Sequence, residues 1–359
     1  MCGIAGFCSF AGNFLQQDGF WRKTLVAMRA AVARRGRDSS GEYLCEHAGM
    51  SHARLAIRDL ELGAQPLVRK AGGHEFAIVY NGEIYNVEEL KPQMVNAGYR
   101  FYTATDTEVI LCAYLAYGAG FVNRLNGIFA FAIWDGSKKQ LLLYRDRLGV
   151  KPLFYTLQDD MLVFGSEIKA LFCHPFVSPE ITTDSFRELF GLGPARTPGN
   201  GVFKDIYEVL PGHYQVFAQS GLKAKKYWQL AAREHTDNFS RTTATVSYLV
   251  RDAITRQLVS DVPVCSFLSG GIDSSIVTAV AADRLRESGA RLNTFSFDFT
   301  GNDAYFSANA FQPERDRPFV DLMLKRYDVR HTYLECGEED LADLLYAAVD
   351  AKDLPGMAD

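Results

Sequence analysis

The residue near the start of the chain with the clearest chemical potential is Cys2, which follows the initiator methionine. Cysteine is small enough for removal of that methionine to be expected, and the processed residue then carries a thiol and a free α-amine. Such a pair is a nucleophile with its own base. The α-amine has a pKa of ~7.7 to 8.0, so about a quarter of it is neutral at cytosolic pH. Cys2 is therefore a candidate nucleophile, the alternative being an incidental residue on a buried first strand.

A second group of residues that could do chemistry is Ser269-Gly270-Gly271-Ile272-Asp273-Ser274, between a predicted strand and a predicted helix. Glycines let the backbone wrap around an anion, and the helix N-terminus adds a partial positive charge. The lysine of a Walker A loop is absent. The pattern therefore predicts binding of a departing pyrophosphate during adenylyl transfer.

Composition limits the classes of protein that remain. The 359 residues predict about two domains, and 48% apolar with 23% charged residues is typical of a globular protein. A net charge of −5 argues against a dedicated nucleic-acid binder. No apolar run approaches the ~20 residues of a membrane span, and no signal peptide pattern is present. The seven scattered cysteines lack a Cys-x-x-Cys motif, which predicts reduced thiols and a cytoplasmic location.

The elements that must position Cys2 are mostly strands. Several strand-like runs up to residue 228 predict a largely antiparallel sheet. Residues 76–80 read as a buried strand that delivers a turn at Asn81-Gly82. Helices are predicted over 18–35, from a capping-box-like start at Asn86, and from Asp106. The first helix is expected to bury Phe20, Leu25, Met28 and Val32.

The second half of the chain has a different pattern. The polar segment 229–241 is the predicted interdomain linker. From 242 to 359, helices alternate with strands, which predicts a doubly wound parallel sheet of the α/β class. Further strands are expected over 262–268 and 329–334, and a helix over 313–326.

Five ordered motifs resemble the glutaminase domain of N-terminal-nucleophile amidotransferases. They are Met1-Cys2-Gly3-Ile4-Ala5-Gly6, Arg34-Arg35-Gly36-Arg37-Asp38-Ser39-Ser40-Gly41, His52-Ala53-Arg54-Leu55-Ala56-Ile57, Tyr80-Asn81-Gly82-Glu83-Ile84-Tyr85-Asn86 and Thr105-Asp106-Thr107-Glu108. The Ser269 loop resembles the pyrophosphate loop of ATP pyrophosphatases. The two in this order resemble the glutamine-hydrolysing asparagine synthetase family over essentially the whole chain.

The resemblance implies a fold for each half. It implies a four-layer αββα sandwich of the α+β class for 2–228, followed over 242–359 by the N-terminal part of the synthetase domain. Family members continue well beyond this length, so a truncated or fragmentary chain is expected. Such a chain should hydrolyse glutamine without completing the amide. An exposed sheet edge should also favour association, for example as a homodimer.

The same resemblance implies a reaction. Cys2 attacks the side-chain amide of glutamine, and the Asn81 side chain and Gly82 backbone N–H stabilise the oxyanion. On its own, Asn81-Gly82 would predict only a hairpin turn. The neighbouring charged segment Arg145-Asp146-Arg147-Leu148-Gly149-Val150-Lys151-Pro152-Leu153 also resembles the family, but it could simply be a solvated turn, and no catalytic role is assigned to it.

Glutamine must be bound by both of its charged ends. The resemblance implies that Arg54 binds the α-carboxylate and that Asp106, assisted by Glu83, binds the α-ammonium. Ile57 belongs to the same implied pocket. Taken alone, Arg54 and Asp106 would be surface charges, or for Asp106 a helix N-cap. Arg37 stands where the family usually has proline, so the loop over the pocket and the substrate preference are open.

In the second half, the resemblance implies ATP as a substrate and Mg²⁺ on Asp273. The implied ATP-binding residues are Phe267, Ser269, Gly270, Gly271, Asp273, Ser274 and Phe297. Phe267 and Phe297 could equally be core residues. The implied acceptor is the carboxylate of aspartate, activated as an acyl-adenylate and amidated by ammonia from Cys2. Two alternatives stay open: a different carboxylate, such as a sugar acid or peptide, and a non-catalytic regulatory fragment.

Overall fold

A computed structural model describes residues 1–193, 195–310 and 313–355. The chain divides into two compact units, one formed by Met1–Ala231 with residues 352–355 and the other by Ala232–Ala351. The division falls inside the segment predicted as a linker, and helix α6 (Phe239–Arg256) already begins within it. The bounds 2–228 and 242–359 stay predictions.

Two antiparallel sheets form the centre of the first unit. Their strands are β1 (Gly3–Ser9), β2 (Ser39–Leu44), β3 (Ala48–Arg54), β4 (Leu67–Ala71), β5 (His74–Ile84), β6 (Gly127–Asp135), β7 (Gln140–Arg145), β8 (Phe154–Gln158), β9 (Met161–Gly165), β10 (Tyr207–Glu208), β11 (His213–Ala218) and β12 (Gly221–Lys226). One sheet has the order β10-β8-β9-β1-β3-β2, and the other β12-β11-β7-β6-β5-β4. The predicted antiparallel arrangement is therefore confirmed.

Alternate side chains of each sheet enter different cores, as the two-residue period of a strand requires. On β5, Ala77 and Val79 share a core with Ile4 and Cys8 of β1, so the two sheets pack face to face. The opposite side of each sheet is covered by helices: Phe7 packs with residues of the first helix. These layers form the predicted αββα sandwich.

The helices of this unit are α1 (Asp18–Ala31), α2 (Val87–Asn96), α3 (Asp106–Tyr117), α4 (Ile168–Phe172) and α5 (Thr183–Gly191). Helix α1 buries Trp21, while Phe20 is exposed, so the predicted buried face was wrong by one residue at its start. The predicted capping box at Asn86 is also wrong. Its side chain bonds Asn126 N and Arg124 O instead of capping α2.

The predicted turn at Asn81-Gly82 does not form. Strand β5 continues through both residues to Ile84, with Asn81 opposite Ala130 and Gly82 opposite Phe129 of β6. A Cβ atom on Gly82 would lie 2.2 Å from the Ile128 carbonyl oxygen. Glycine is needed here for the close approach of two strands.

Gly82→Ala is expected to lower the free energy of unfolding by about 1 to 3 kcal/mol or more, because the added methyl group must separate β5 from β6. Urea denaturation measures this change. Gly120→Ala is the matched control, since a Cβ there meets no atom within 4 Å. Equal denaturation midpoints for the two variants would contradict the close approach.

The second unit has a parallel sheet with the order β13 (Cys265–Phe267), β14 (Asn293–Phe299) and β15 (Arg330–Cys336). Its helices are α6, α7 (Ile272–Glu287), α8 (Asn302–Tyr305), α9 (Arg317–Arg326) and α10 (Glu338–Lys352). The predicted α/β alternation is confirmed. The strand predicted from residue 262 begins at Cys265, and the helix predicted from residue 313 begins at Arg317. Within the described residues, no helix is long and apolar enough to cross a membrane.

Candidate active site

Four of the five sequence motifs of the first unit contribute residues to one cavity of ≈ 70 Å³, and the motif at 34–41 contributes none. Strand β1 begins directly after Cys2, β3 ends at Arg54, β5 carries Asn81 to Glu83, and α3 begins at Asp106. All seven residues predicted for the glutaminase site line this cavity: Cys2, Arg54, Ile57, Asn81, Gly82, Glu83 and Asp106. The strand ends therefore gather residues that are more than a hundred positions apart in the chain.

Cys2 is held from both its side chain and its backbone. The Leu55 N–H donates to Cys2 Sγ at 3.4 Å, and the Cys2 carbonyl accepts from Arg35 Nε at 2.9 Å. Arg35 is itself paired with Glu167 at 2.8 Å. Burial raises the pKa of the Cys2 thiol, whereas the hydrogen bond with Leu55, the N-terminal amine and Arg54 lower that pKa. The thiol is therefore fixed in position and needs a base to activate it.

Asn81 lines the same cavity and carries an unused hydrogen-bond donor. Its side chain is only 1% exposed, yet its amide nitrogen Nδ2 has no hydrogen-bond partner among the described residues. Buried amide groups are nearly always satisfied, because an unpaired one costs about 1 to 3 kcal/mol. An orphaned N–H on a residue that shares a cavity with a thiol is the arrangement expected of a site that completes its hydrogen bonds only when substrate oxygen is present.

Two carboxylates form the acidic side of the cavity. Asp106 Oδ2 accepts from Tyr80 Oη at 2.8 Å and from the Ile84 N–H at 3.0 Å. Asp106 is the first residue of α3, and the N-cap is Thr105, so the alternative of Asp106 as N-cap is wrong. Burial, followed by the charge of Asp106, raises the pKa of Glu83 to about 7. Burial also raises the pKa of Asp106.

Arg54, the residue predicted to bind the α-carboxylate, also forms hydrogen bonds with the loop that follows β3. Its guanidinium donates to the Leu60 carbonyl at 3.2 Å, the Arg58 carbonyl at 3.0 Å and the Asp59 carbonyl at 2.6 Å. It therefore closes the loop that follows β3, and it is almost fully buried. Arg58 lines the cavity as a second guanidinium that the sequence analysis missed.

Lys151 is the other missed cavity residue. For the segment that contains it, the alternative of a solvated turn is wrong, because Arg145, Asp146 and Lys151 are all buried. The signal lay in the sequence, since this nine-residue segment combines four charged residues with leucine, valine, glycine and proline. Charges in such company indicate a packed turn.

The predicted pyrophosphate loop lies between β13 and α7. Gly270 has a φ of +84°, which favours glycine, and Ser269 Oγ lies 3.0 Å from Ser274 Oγ. A nearby cavity of ≈ 190 Å³ is lined by Ser269, Ser296, Phe297, Asp298 and Asp316 among others. The loop thus has a left-handed glycine and a pair of mutually bonded serine hydroxyl groups, which are features suited to anion binding.

Phe267 and Phe297 are not core residues, since they are 74% and 56% exposed. Phe297 lines the cavity beside Ser269, whereas Phe267 is not among the residues that line it. Asp273, in the first turn of α7, is exposed. The described residues contain no cluster of three or more histidine, cysteine or acidic side chains that could hold a metal alone. One carboxylate beside serine hydroxyls nevertheless fits Mg²⁺, which prefers oxygen ligands and uses substrate phosphates to complete its shell.

Comparison with known families matches both units. Residues 1–228 match the model of the glutamine amidotransferase domain, and residues 245–359 match that of asparagine synthase. Asparagine synthetase [glutamine-hydrolyzing] 3 of Bacillus subtilis is 45% identical over 360 residues, covering 100% of this chain and 58% of that protein. The chain thus spans less than two thirds of that relative.

Two more distant relatives broaden the comparison. Putative asparagine synthetase [glutamine-hydrolyzing] 2 of Methanocaldococcus jannaschii is 30% identical over 96% of this chain and 67% of that protein. Amidase chry2 of Gibberella zeae is 32% identical over 80% of this chain and 44% of that protein. With an amidotransferase model over its first 228 residues and an asparagine synthase model after it, the chain belongs to the glutamine-hydrolysing asparagine synthetase family.

Proposed function

We propose that this chain hydrolyses the side-chain amide of glutamine at Cys2 and that the ammonia serves asparagine synthesis from aspartate and ATP. The observation that carries the first half is the orphaned amide nitrogen of Asn81 in the cavity that Cys2 lines. The second half rests on the asparagine synthase match and on the names of the relatives.

In the proposed reaction, removal of Met1 frees the α-amine of Cys2. The amine takes the thiol proton as Sγ attacks the amide carbon of glutamine. Negative charge develops on the carbonyl oxygen, where Asn81 Nδ2 and the Gly82 N–H donate to it. The α-ammonium then gives the proton to the leaving nitrogen, and ammonia departs. Water hydrolyses the thioester by the same route, releasing glutamate and restoring the thiol.

We further propose that Glu83 and Asp106 bind the α-ammonium of glutamine, while Arg54 and Arg58 bind its α-carboxylate. The support is the separation of charge within the cavity, with carboxylates from β5 and α3 and guanidinium groups from β3 and its loop. Ile57 lines the same cavity. A zwitterionic substrate matches such a pair of ends.

A pH dependence of glutamine binding follows from the raised pKa of Glu83. The carboxyl is neutral below about pH 7 and charged above it, so its attraction for the α-ammonium is lost as the pH falls. The KM for glutamine is expected to rise on acidification. Glu83→Gln should raise KM about tenfold at alkaline pH and weaken its dependence on pH. Steady-state kinetics over pH, with exposed Glu88→Gln as control, measure this. A pH dependence of KM in Glu83→Gln equal to that of the wild-type chain would contradict the role.

For the synthetase half, we propose that ATP is held by the Ser269–Ser274 loop, with Phe297 beside it. Mg²⁺ on Asp273 would supply charge neutralisation for the departing pyrophosphate. The loop hydroxyls and backbone N–H groups would orient the phosphates at the N-terminus of α7. We also propose that Phe267, exposed on β13, contacts ATP.

A different carboxylate acceptor is the second candidate. Its support is the 32% identity to a protein named amidase chry2 over 80% of the chain. Both candidates share the glutaminase half and differ only in the acceptor. A cytoplasmic location, supported by seven unpaired cysteines, and a homodimer also stay predictions.

Product analysis tests the proposal. The purified chain is given glutamine carrying ¹⁵N in its side-chain amide, with ATP, Mg²⁺ and aspartate, and products are identified by mass spectrometry. Labelled asparagine with AMP supports the whole proposal. Labelled ammonia and glutamate without asparagine support the glutaminase half alone and do not distinguish the two acceptors. Absence of labelled ammonia overturns the proposal.

A further inference from the structure

The buried turn between β7 and β8 is built around one carboxylate. Asp146, 1% exposed, accepts from the backbone N–H groups of Phe129, Leu148, Val150 and Lys151 at 2.9 to 3.2 Å. Four donors on one buried carboxylate fix the backbone of the whole turn.

Arg145 holds the same turn from the other side. Its guanidinium donates to the Lys151 carbonyl at 2.9 Å and to the Gly149 carbonyl at 2.9 Å, and it pairs with Glu208 at 2.9 Å. Burying the charged groups of Arg145 and Asp146 costs free energy that a simple connection between two strands does not require. The hydrogen bonds of these two residues fix the backbone at Lys151. The Lys151 side chain is 7% exposed and lines the cavity with Cys2.

The charge of Lys151 faces the first residues of the chain. Its Nζ lies 2.9 Å from Met1 Sδ, so the ammonium group reaches the residue whose removal exposes the Cys2 amine. Within the described part of the chain, no carboxylate lies within 4 Å of that nitrogen. Three other cations lie around Cys2. Arg35 is paired with Glu167 at 2.8 Å, and Arg54 and Arg58 line the cavity on the side of β3 and its loop. Lys151 is thus an unpaired positive charge that contacts the first residue of the chain.

We propose that Lys151 is a positioning residue of the glutaminase reaction, whose fixed ammonium group disfavours a second positive charge on Cys2 and so keeps its α-amine neutral and able to accept the thiol proton. This rests on the proposed function. In the chain that still carries Met1, burial lowers the pKa of the Met1 α-amine. The charges of Arg35 and Lys151 lower this pKa further, whereas those of the Cys2 thiol and Asp38 raise it. The charged groups around Cys2 are Arg35, Asp38, Arg54, Arg58, Glu83, Asp106, Lys151 and Glu167.

The test compares pH profiles of the wild-type chain, Lys151→Met, Lys151→Arg and the exposed control Lys223→Met. Intact mass spectrometry first establishes that Met1 is absent in each. The first readout is kcat for glutamine hydrolysis at saturating glutamine, so that binding by Glu83 does not contribute. The second is the rate of Cys2 alkylation by iodoacetamide without substrate.

Removing the positive charge of Lys151 is expected to move the acidic limb of both profiles upward by about one pH unit. Below that limb, kcat of Lys151→Met should be about tenfold lower, and at alkaline pH it should approach the wild-type value. Lys151→Arg should restore the limb, and Lys223→Met should leave it in place.

A purely structural Lys151 predicts a lower kcat at every pH with an unmoved limb, and that result would overturn the inference. The same holds if Lys151→Arg behaves like Lys151→Met. Failure of the proposed function looks different, because the wild-type chain would then release no ammonia that depends on Cys2.

Discussion

Cys2→Ala should abolish glutamine hydrolysis, with a fall in kcat of about 10⁴-fold or more, the loss typical of removing a covalent nucleophile. Fold should be retained, because Cys2 precedes β1 and lies outside the cores on either side of it. Continuous measurement of ammonia release gives the rate. The matched control is Cys265→Ala, which removes an exposed thiol of the second unit.

The Cys2 thiol without a free α-amine should not hydrolyse glutamine. If a residue that is not removed is added before Met1, the chain keeps Met1. Such a chain retains Cys2 Sγ, but the nitrogen of Cys2 belongs to a peptide bond and is not a free α-amine. This chain is expected to be as inactive as Cys2→Ala, since the base is missing. Wild-type rates from the extended chain would assign the proton to another group and remove the α-amine from the mechanism.

Asn81→Ala should have the second largest effect. Loss of one oxyanion donor lowers kcat by about 10²- to 10³-fold, or about 3 to 4 kcal/mol in the barrier. The KM for glutamine should change little, because the hydrogen bond strengthens only as charge develops. Asn81→Ala removes no hydrogen bond of Nδ2, since this atom has no partner among the described residues. The free energy of unfolding should therefore not fall for that reason.

Asn96→Ala, an exposed asparagine on α2, is the control for this substitution. Steady-state kinetics and urea unfolding on the same preparations separate the two effects. An Asn81→Ala variant with unchanged kcat and raised KM would make Asn81 a substrate-binding residue, and the oxyanion site would have to lie elsewhere.

Much of this site was predictable because the motifs fall at element boundaries. Arg54 ends β3 and Asp106 begins α3, and residues at strand and helix ends point toward a common edge of a sandwich. The sequence could not distinguish a turn from a strand at Asn81-Gly82, since that pair is the strongest short hairpin signal. Only the partner strand β6, some forty residues later, decides in favour of a continuous strand.

The remaining errors share a physical cause. Lys151 and Arg58 carry charges, and charged residues are most often exposed, so their places in the cavity depend on long-range contacts such as that of Arg145 with Glu208. Asn86 has the residue type and spacing of a capping box, but its side chain bonds the 124–126 segment. Local patterns describe what a residue can do, and tertiary neighbours select which of these it does.

The central claim is a thioester between Cys2 and the glutamyl group, and trapping by hydroxylamine tests it most directly. The purified chain hydrolyses glutamine with and without hydroxylamine, and mass spectrometry quantifies glutamate and γ-glutamyl hydroxamate. We predict that hydroxamate forms at the expense of glutamate and that neither forms in Cys2→Ala. Glutamate release that hydroxylamine does not divert, or hydroxamate formed equally by Cys2→Ala, would contradict a covalent intermediate at Cys2.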